Sequence, residues 1–333
     1  MATIQDVAKH AQVGVGTVSR VLSGKGYVKE ETRRKIEASI EALNYTPNAM
    51  ARNLFFRRSG IVAVIVPEVG HPFFAELVNA VEKALCEQGC QTMICNTFYK
   101  KNYEQQYLDM LKQQRVDGII FGAHTVLDIS LYENIDRPIV AIDRTLGERI
   151  PCVSVDHAVG GRMAAEEMVA CGCKNVVQFR GAQKGEVTTP SDVRHDVFEE
   201  IMLEHGIACR SFYSRWHSID LDYYEKLAAD LLETHPDIDG VFATDLTAMA
   251  VLQSALAHKI RVPEDLKLVA YDGTVGAGLA FPRITTVVQP IEQLARESVR
   301  LITDLINEKP LVNHKVTLQA VLRHGDTTVR NGS

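Results

Sequence analysis

The chain has 333 residues, too many for one ordinary domain, and 46% of them are hydrophobic, which is ample for packed cores in two or three. The longest clear apolar run, Ile61–Val66, is far shorter than the roughly 18 residues that a membrane span requires. The first residues lack the apolar segment of a secretory signal, so we expect a globular, cytoplasmic protein.

The net charge of −6 conceals two regions of opposite sign. Residues 1–58 contain ten Lys and Arg against five Asp and Glu, a balance of +5, whereas the remainder has a balance of −11. A compact basic end on an acidic body is typical of proteins that bind nucleic acid through that end.

Three short helices are predicted in the basic region. Apolar residues follow helical spacing over 4–11, a turn occupies 12–14, and a second helix directs Val18, Val21 and Leu22 inward. A third helix is predicted over 32–43. This spacing indicates a helix-turn-helix, whose second helix enters the major groove. The alternative is a helical hairpin that caps a larger domain, but the positive charge favours a surface that faces phosphates.

From residue 60 onward, strand-like apolar runs alternate with helical segments. Strands are predicted over 61–66, 92–95, 118–121 and 139–142, with helices over 73–88 and 103–113, the first of them stopped by Gly89. The alternation continues with helices over 160–170, 193–204 and 247–258 and strands over 176–179, 241–243 and 268–271. Continuous apolar strands between helices indicate parallel sheets covered on both faces.

Two near-repeats link the halves of this region. Residues 116–120, VDGII, are similar to residues 238–242, IDGVF, and VAID at 140–143 is similar to VAYD at 269–272. Each half therefore has an aspartate, Asp143 or Asp272, just past the end of a strand. Because ligands of open α/β sheets bind outside these strand ends, we expect both to face a shared cleft between two lobes. The alternative is that each only begins a turn.

The sequence predicts no catalytic, metal or cofactor site. The seven cysteines are scattered and lack paired CxxC spacing with histidines, so we expect reduced thiols. Residues 14–16, GVG, open a predicted recognition helix with no strand before them, and the glycine-rich segment 273–278 lacks the Lys-Ser/Thr pair of a P-loop. A transported sugar-binding protein would share the two-lobed body, but it should have a signal peptide and no basic head.

Along essentially its whole length, the chain resembles the LacI/GalR family of bacterial transcriptional repressors. The motifs that carry this resemblance are TIQDVA at 3–8, TVSRVL at 17–22, YTPNAMARNL at 45–54, HPFF at 71–74, Asp143-Arg144, Asp156 with Gly160-Gly161, Asp245, Tyr271-Asp272 and Gln289-Pro290. Residues 143–144 and 55–58 are loosely similar to the sucrose and fructoside repressor branch.

The resemblance implies an α/β protein with a three-helix helix-turn-helix head and a two-lobed core like that of periplasmic binding proteins. It places the head at 1–46, a hinge helix or linker at 47–58, the N-terminal lobe at 59–159 and 289–321, and the C-terminal lobe at 160–288 and 322–333. It further implies a homodimer that binds palindromic operator DNA and a small effector, usually a sugar or a nucleobase. We expect a repressor of a carbohydrate-use operon that is controlled by a small sugar or sugar phosphate bound between the two lobes. A regulator that answers to a protein corepressor remains an alternative.

The family pattern places the DNA contacts on residues of the head and hinge: Thr3, Val15, Gly16, Thr17, Ser19, Arg20, Lys25, Tyr45, Asn48, Ala51, Arg52 and Leu54. Val15 offers only apolar contact, as with a thymine methyl, and Gly16 has no side chain, so Arg20 should carry most of the base reading as a bidentate partner of guanine. Thr17 and Ser19 are expected to contact the sugar-phosphate backbone or their own helix. Leu54 is expected to wedge into the minor groove, the alternative being a buried linker residue.

Polar groups at strand ends together with aromatic faces suit a sugar, whose hydroxyls need polar partners. The residues expected to bind the effector are Phe74, His124, Asp143, Arg144, Asp156, Arg194, Trp216, Asp245 and Asp272. Arg194 corresponds to the arginine with which the family binds effectors. The alternative for Trp216 is a half-buried structural residue of the lobe. Asp245 departs from the family pattern, because it follows Thr244 where the family commonly has Asn.

Overall fold

The computed structural model describes residues 2–23, 26–45, 58–122, 128–181, 190–214 and 219–330. Its contacts divide the chain into two compact units, Met1–Ser59 and Gly60–Ser333. Each unit is considered by itself below.

The first unit contains three helices, α1 (Ile4–His10), α2 (Val15–Ser23) and α3 (Glu30–Ala42). Helix α1 begins with a capping box, in which the Asp6 amide donates to the Thr3 hydroxyl and the Thr3 amide donates to the Asp6 carboxylate. The helices enclose a small core of Val7, Ala8, Ala11, Val18, Val21 and Ile36. The helix-turn-helix prediction is confirmed, with α3 starting two residues earlier than expected.

The second unit begins with six elements of regular β/α alternation and two further strands. They are β1 (Ile61–Val66), α4 (Pro72–Glu87), β2 (Gln91–Asn96), α5 (Lys101–Lys112), β3 (Gly118–Phe121), α6 (Ser130–Glu133), β4 (Ile139–Ile142) and β5 (Cys152–Val155). Gly89 has a φ of +71° and follows α4, as the sequence predicts.

The second half repeats the alternation and closes with a long helix and two short strands. Its elements are α7 (His157–Ala170), β6 (Asn175–Arg180), α8 (Val193–Glu204), β7 (Ala208–Tyr213), α9 (Leu221–Thr234), β8 (Gly240–Thr244), α10 (Asp245–Ala257), β9 (Lys267–Asp272), α11 (Val275–Leu279), β10 (Thr285–Val288), α12 (Ile291–Ile306), β11 (Lys315–Leu318) and β12 (Val321–Arg323). One turn of 3₁₀ helix, Pro190–Asp192, precedes α8.

Two six-stranded sheets of equivalent order form the two lobes. The first has the order β11-β5-β4-β3-β1-β2 with every pair parallel, and the second has the order β12-β10-β9-β8-β6-β7 with only β12 antiparallel. Within the described residues the chain crosses between the lobes at Asp156, at Gln289–Pro290 and at Gln319–Ala320. Val321 thus pairs within the second sheet, although the sequence analysis assigned it to the first lobe.

The two near-repeats occupy equivalent positions in the two sheets. Asp117 precedes β3, and its carboxylate accepts the Gly60 amide at 2.7 Å, just before β1. Asp239 precedes β8 and accepts the Asn175 amide at 2.9 Å, at the start of β6. An aspartate before a buried strand therefore has the same structural role in both lobes, since its carboxylate forms a hydrogen bond with the start of the neighbouring strand.

Candidate functional site

A cleft lies between the lobes, beyond the carboxyl ends of the parallel strands. Its cavity has a volume of about 120 Å³, a little below the roughly 150 Å³ of a protein cavity that admits a six-membered ring such as benzene. The lining includes Phe74, Asp143, His157, Arg194, Asp272 and Gln289. The position agrees with the general rule for ligand sites in open α/β sheets.

Asp143 and Asp272 occupy equivalent places at the ends of β4 and β9, and both face the cavity, as the near-repeats predict. Their φ angles are +48° and +120°, in a region that is strained for residues other than glycine. Asp143 Oδ1 accepts the Val155 amide at 2.8 Å, and Asp272 Oδ1 accepts Gln289 Nε2–H at 2.8 Å. Among the described residues no hydrogen bond to their second oxygens is made, so these can accept from a ligand.

Burial raises the pKa of Asp272, and the neighbouring carboxylate of Asp245 raises it further. The Arg194 guanidinium and the hydrogen bond from Gln289 act in the opposite direction. Without a ligand, the charged form of Asp272 therefore costs free energy. A ligand hydroxyl that donates a hydrogen bond to this carboxylate would reduce the cost.

Arg194 lines the cavity from the start of α8. The carbon of its guanidinium lies 4.4 Å from the centre of the Tyr271 ring, and its Nε–H donates to His195 Nε2 at 3.2 Å. Tyr271 is fully buried and needs the absence of a side chain at Gly160, where a Cβ would lie 2.6 Å from the phenol oxygen. The close approach of Gly160 to the Tyr271 ring, over which the Arg194 guanidinium packs, thus explains why this position of the motif has no side chain.

His157 connects the lobes at the first crossing and was not predicted as a site residue. Its Nδ1 is 2.7 Å from the Tyr271 hydroxyl of the second lobe, and its Nε2 is 3.1 Å from Asp143 Oδ1 of the first. Gln289, at the second crossing, was quoted in a family motif but not assigned a role. Its Oε1 is buried without a hydrogen-bond partner among the described residues, so it can accept from a ligand.

Arg144 does not line the cavity, although the sequence analysis expects it to bond a ligand hydroxyl. Its guanidinium carbon lies 5.2 Å from the Phe121 ring and 5.5 Å from the Tyr132 ring, and Nη1 is 3.7 Å from Glu104. Burial raises the pKa of the fully buried Glu104 to about 7, although Arg144 lowers it. Adjacent residues of one motif, Asp143 and Arg144, therefore face opposite sides of the strand end.

Asp156 and Asp245 also lie outside the cavity lining, contrary to expectation. Asp156 caps α7, accepting the Val159 amide at 3.1 Å. Asp245 accepts from Thr274 at 2.6 Å and 2.7 Å and from the Thr286 hydroxyl at 3.0 Å, so both of its oxygens bind the protein. Phe74 does line the cavity, whereas His124 and Trp216 lie outside the described residues.

The head exposes the predicted base-reading residues along α2, with Val15 and Gly16 at its start and Arg20 in its last turn. Val15, Gly16 and Arg20 are exposed, while Thr17 and Ser19 are half-buried. Thr3 is part of the capping box, and Tyr45 packs against the head core, so both have a structural role apart from any DNA contact. The predicted contacts Lys25, Asn48, Ala51, Arg52 and Leu54 lie outside the described residues.

Metal chemistry finds no support in the described part of the chain, where no group of three or more His, Cys, Asp or Glu side chains could hold a metal ion. All seven cysteines lie in that part and carry thiols. Among the helices of the described segments, none has the length and apolar character needed to cross a bilayer.

A helix-turn-helix head on a two-lobed core with a ligand-sized cleft defines a DNA-binding regulator that responds to a small molecule. Residues 3–48 match the family described as bacterial regulatory proteins, lacI family, and residues 59–323 match the family described as periplasmic binding proteins and sugar binding domain of LacI family. The chain belongs to the LacI family and is a transcriptional regulator, not an enzyme.

Named relatives span nearly the whole chain. It is 38% identical to the ribose operon repressor of Halalkalibacterium halodurans, over 98% of this chain and 97% of that protein. It is 34% identical to the sucrose operon repressor of Streptococcus mutans serotype c, over 95% of each. A solved structure, "transcriptional regulator CelR-cellobiose complex", is 30% identical with a TM-score of 0.69, over 98% of this chain and all of that one.

Proposed function

We propose that this chain represses a carbohydrate-use operon in the cytoplasm. A neutral sugar in the cleft between the lobes controls its affinity for operator DNA. The observation that carries this proposal is the arrangement of Asp143, Asp272, Gln289 and Arg194 around one cavity. Two carboxylates and an amide oxygen accept from hydroxyls, a guanidinium donates to them, and Phe74 offers an apolar face. The ribose, sucrose and cellobiose in the names of the similar proteins support a sugar effector.

The charges of the lining favour a free sugar over a sugar phosphate. Asp143 and Asp272 both line the cavity, and Arg194 is the one arginine among the described lining residues, which include no lysine. Phosphate recognition by side chains usually relies on several cations around the anion. A phosphate group here would face two carboxylates.

A homodimer is the form that we propose for DNA binding, with two heads on a palindromic operator and hinge residue Leu54 in the minor groove. An apolar surface of the second lobe supports dimerisation, because Val275, Leu279 and Phe281 are 63%, 78% and 89% exposed. A run of large apolar side chains on the surface usually marks an interaction site.

A thermal-shift screen of the full-length protein tests the effector class. The panel contains D-ribose, D-fructose, sucrose, cellobiose, D-ribose 5-phosphate and hypoxanthine. A ligand at about 100 times its Kd adds roughly 2.7 kcal/mol of stability, which is easily seen. We expect a neutral monosaccharide to raise Tm and an Arg194→Met variant to lose the shift, with the exposed Arg162→Met of α7 as control.

The operator itself can be obtained by selecting bound duplexes from random DNA. We expect a palindrome, and we expect the sugar that raises Tm to change its affinity. A shift with hypoxanthine alone would replace the sugar by a nucleobase, and absence of any shift would favour a protein corepressor.

A further inference from the structure

Arg194 is anchored in the cleft by a residue that lies behind the cavity wall. Its guanidinium packs over the Tyr271 ring, and its Nε–H points at His195 Nε2, 3.2 Å away. Both contacts use the inner side of the guanidinium. Neither contact uses an N–H of Nη1 or Nη2, and Arg194 lines the cavity.

His195 is almost fully buried, with 1% of its surface exposed, and it lies between Arg194 and Gln178. Its Nδ1 is 3.0 Å from Gln178 Oε1. The Gln178 amide nitrogen is 2.9 Å from Ser211 Oγ and 3.3 Å from the Glu199 carboxylate. Because a carboxylate only accepts, the orientation of the Gln178 amide is fixed, and its oxygen must face His195.

The direction of the remaining bonds follows from that orientation. An amide oxygen also only accepts, so His195 Nδ1 must carry the proton, and Nε2 is left as the acceptor for Arg194 Nε–H. A series of donors therefore runs from the Arg194 guanidinium through His195 and Gln178 to the Glu199 carboxylate. Neutral groups therefore connect the cation of Arg194 in the cleft with the carboxylate of Glu199, which lies further along the same helix, α8.

The surroundings keep the imidazole neutral. Burial lowers the pKa of His195 well below its usual value, and the positive charges of Arg194 and Arg180 lower it further. Glu199 faces this group of residues, but it is itself 3.5 Å from Arg180, which also pairs with Asp196. A protonated Nε2 would point a positive N–H at the guanidinium, so the neutral ring is the form compatible with the observed contact.

We propose that His195, fixed by Gln178 with its proton on Nδ1, is a positioning residue that aims Arg194 at the effector and so sets the affinity of the cleft for hydroxyl-bearing ligands. The part of this inference that concerns the effector rests on the proposed function. The tautomer and the Arg194 contact do not, and they can be measured without any ligand.

Nitrogen-15 NMR of the ligand-free full-length protein, labelled at His and Arg, measures both. We expect a neutral His195 with protonated Nδ1 and unprotonated Nε2, and a slowly exchanging Arg194 Hε. The His195→Gln variant has an oxygen close to the place of Nε2 and should keep the slow Hε, whereas His195→Phe should lose it. A proton on Nε2, or equal exchange in the two variants, overturns the proposal.

D-ribose binding, measured by calorimetry, tests the effect of His195 on effector affinity. We expect His195→Phe to weaken binding about tenfold or more and His195→Gln to stay within about threefold of the wild type, because a hydrogen bond to a charged group contributes about 1.5–3 kcal/mol. Equal affinities of both variants and the wild type overturn the effector role. If the wild type itself does not bind D-ribose, ribose is excluded as effector, and the exchange of Arg194 Hε still decides whether His195 positions the arginine.

Discussion

A residue that is suited to ligand binding in the cleft can lower the stability of the ligand-free folded protein. Asp272 is 6% exposed, lies near Asp245, and adopts a φ of +120°. Burial and the neighbouring carboxylate disfavour the charged form of the side chain in the ligand-free protein, and the backbone conformation is costly for any residue other than glycine. A hydrogen bond from the proposed sugar would offset part of this cost.

Replacing Asp272 by Asn should stabilise the ligand-free protein. An amide is less costly to bury than a carboxylate, and its oxygen can still accept from Gln289, so we expect a gain of about 1–2 kcal/mol at neutral pH. Urea unfolding measures it. The fully exposed Asp136→Asn is the matched control and should change stability by less than about 0.5 kcal/mol. A destabilised Asp272→Asn would contradict this account.

The same variant should change how stability depends on pH. Because the pKa of Asp272 is raised above its usual 3.8, the folded protein retains a proton that the unfolded chain releases. The stabilising contribution of this carboxyl group is therefore complete below its usual pKa and is lost as the pH rises toward neutral. The advantage of Asp272→Asn should be small near about pH 4 and grow up to about pH 7.5, and an advantage that stays constant would argue against a raised pKa.

Base reading by the head should depend on one arginine. Arg20 is exposed at the recognition helix, and Gly16 has open space around the position of a Cβ. Arg20→Met should weaken operator binding by about 1–3 kcal/mol and abolish the preference for guanine at one position. Gly16→Ala should leave that preference intact, since alanine can add only apolar contact. Fluorescence anisotropy on the selected palindrome and its single-base variants measures both, and an unchanged guanine preference in Arg20→Met would refute the assignment.

At the scale of elements, the packing of α7 on α8 positions the cleft. A Cβ at Gly161 would lie 2.2 Å from the Arg194 backbone oxygen and 2.7 Å from its Cα. Backbone cannot swing aside as a flexible side chain can. The sequence pair Gly160-Gly161 therefore lets one helix approach Tyr271 and the other helix carry Arg194 into the cleft.

Gly161→Ala should push α8 away from α7. We expect a loss of stability of about 1–3 kcal/mol from overpacking, together with weaker sugar binding because Arg194 moves. The neighbouring Arg162→Ala is exposed on the same helix and should alter neither. Thermal unfolding and sugar titration measure the two effects, and a variant as stable as the control would show that the helices have room to adjust.

The elements also show what the sequence can predict. Fully buried runs such as Ile61–Val66, together with the near-repeats, led to the parallel sheets and to Asp143 and Asp272 at the cleft, because buried strands leave a continuous apolar signal. Half-polar edge strands such as Ala208–Tyr213 were not predicted, since partial exposure interrupts that signal. Arg144 was expected at the cleft but lies outside its lining, because a motif fixes a residue's place along the chain but not the side of the strand end that its side chain faces.

At the scale of the whole core, a direct hydrogen bond joins the two lobes beside the cleft. Glu76 of α4 accepts the Val275 amide at 2.8 Å across the two lobes. Nearby, Gly70 leaves space for Ile219, whose methyl would lie 2.6 Å from an added Cβ. A ligand that needs the closed form binds with an apparent affinity reduced by the fraction of closed molecules, so these contacts should tune affinity from outside the site.

Glu76→Ala should open the lobes and weaken sugar binding by about three- to tenfold, since an exposed hydrogen bond of about 0.5–1.5 kcal/mol is lost from the closed form alone. Glu76→Gln keeps an acceptor oxygen and should recover most of the affinity, while Glu82→Ala, exposed on the same helix, should have none of the effect. Because the sugar and the operator are coupled through one equilibrium, Glu76→Ala should also require correspondingly more sugar to change operator binding. Sugar titrations with and without the selected palindrome measure both affinities, and a Glu76→Ala variant with unaltered sugar affinity would show that this contact does not hold the closed form.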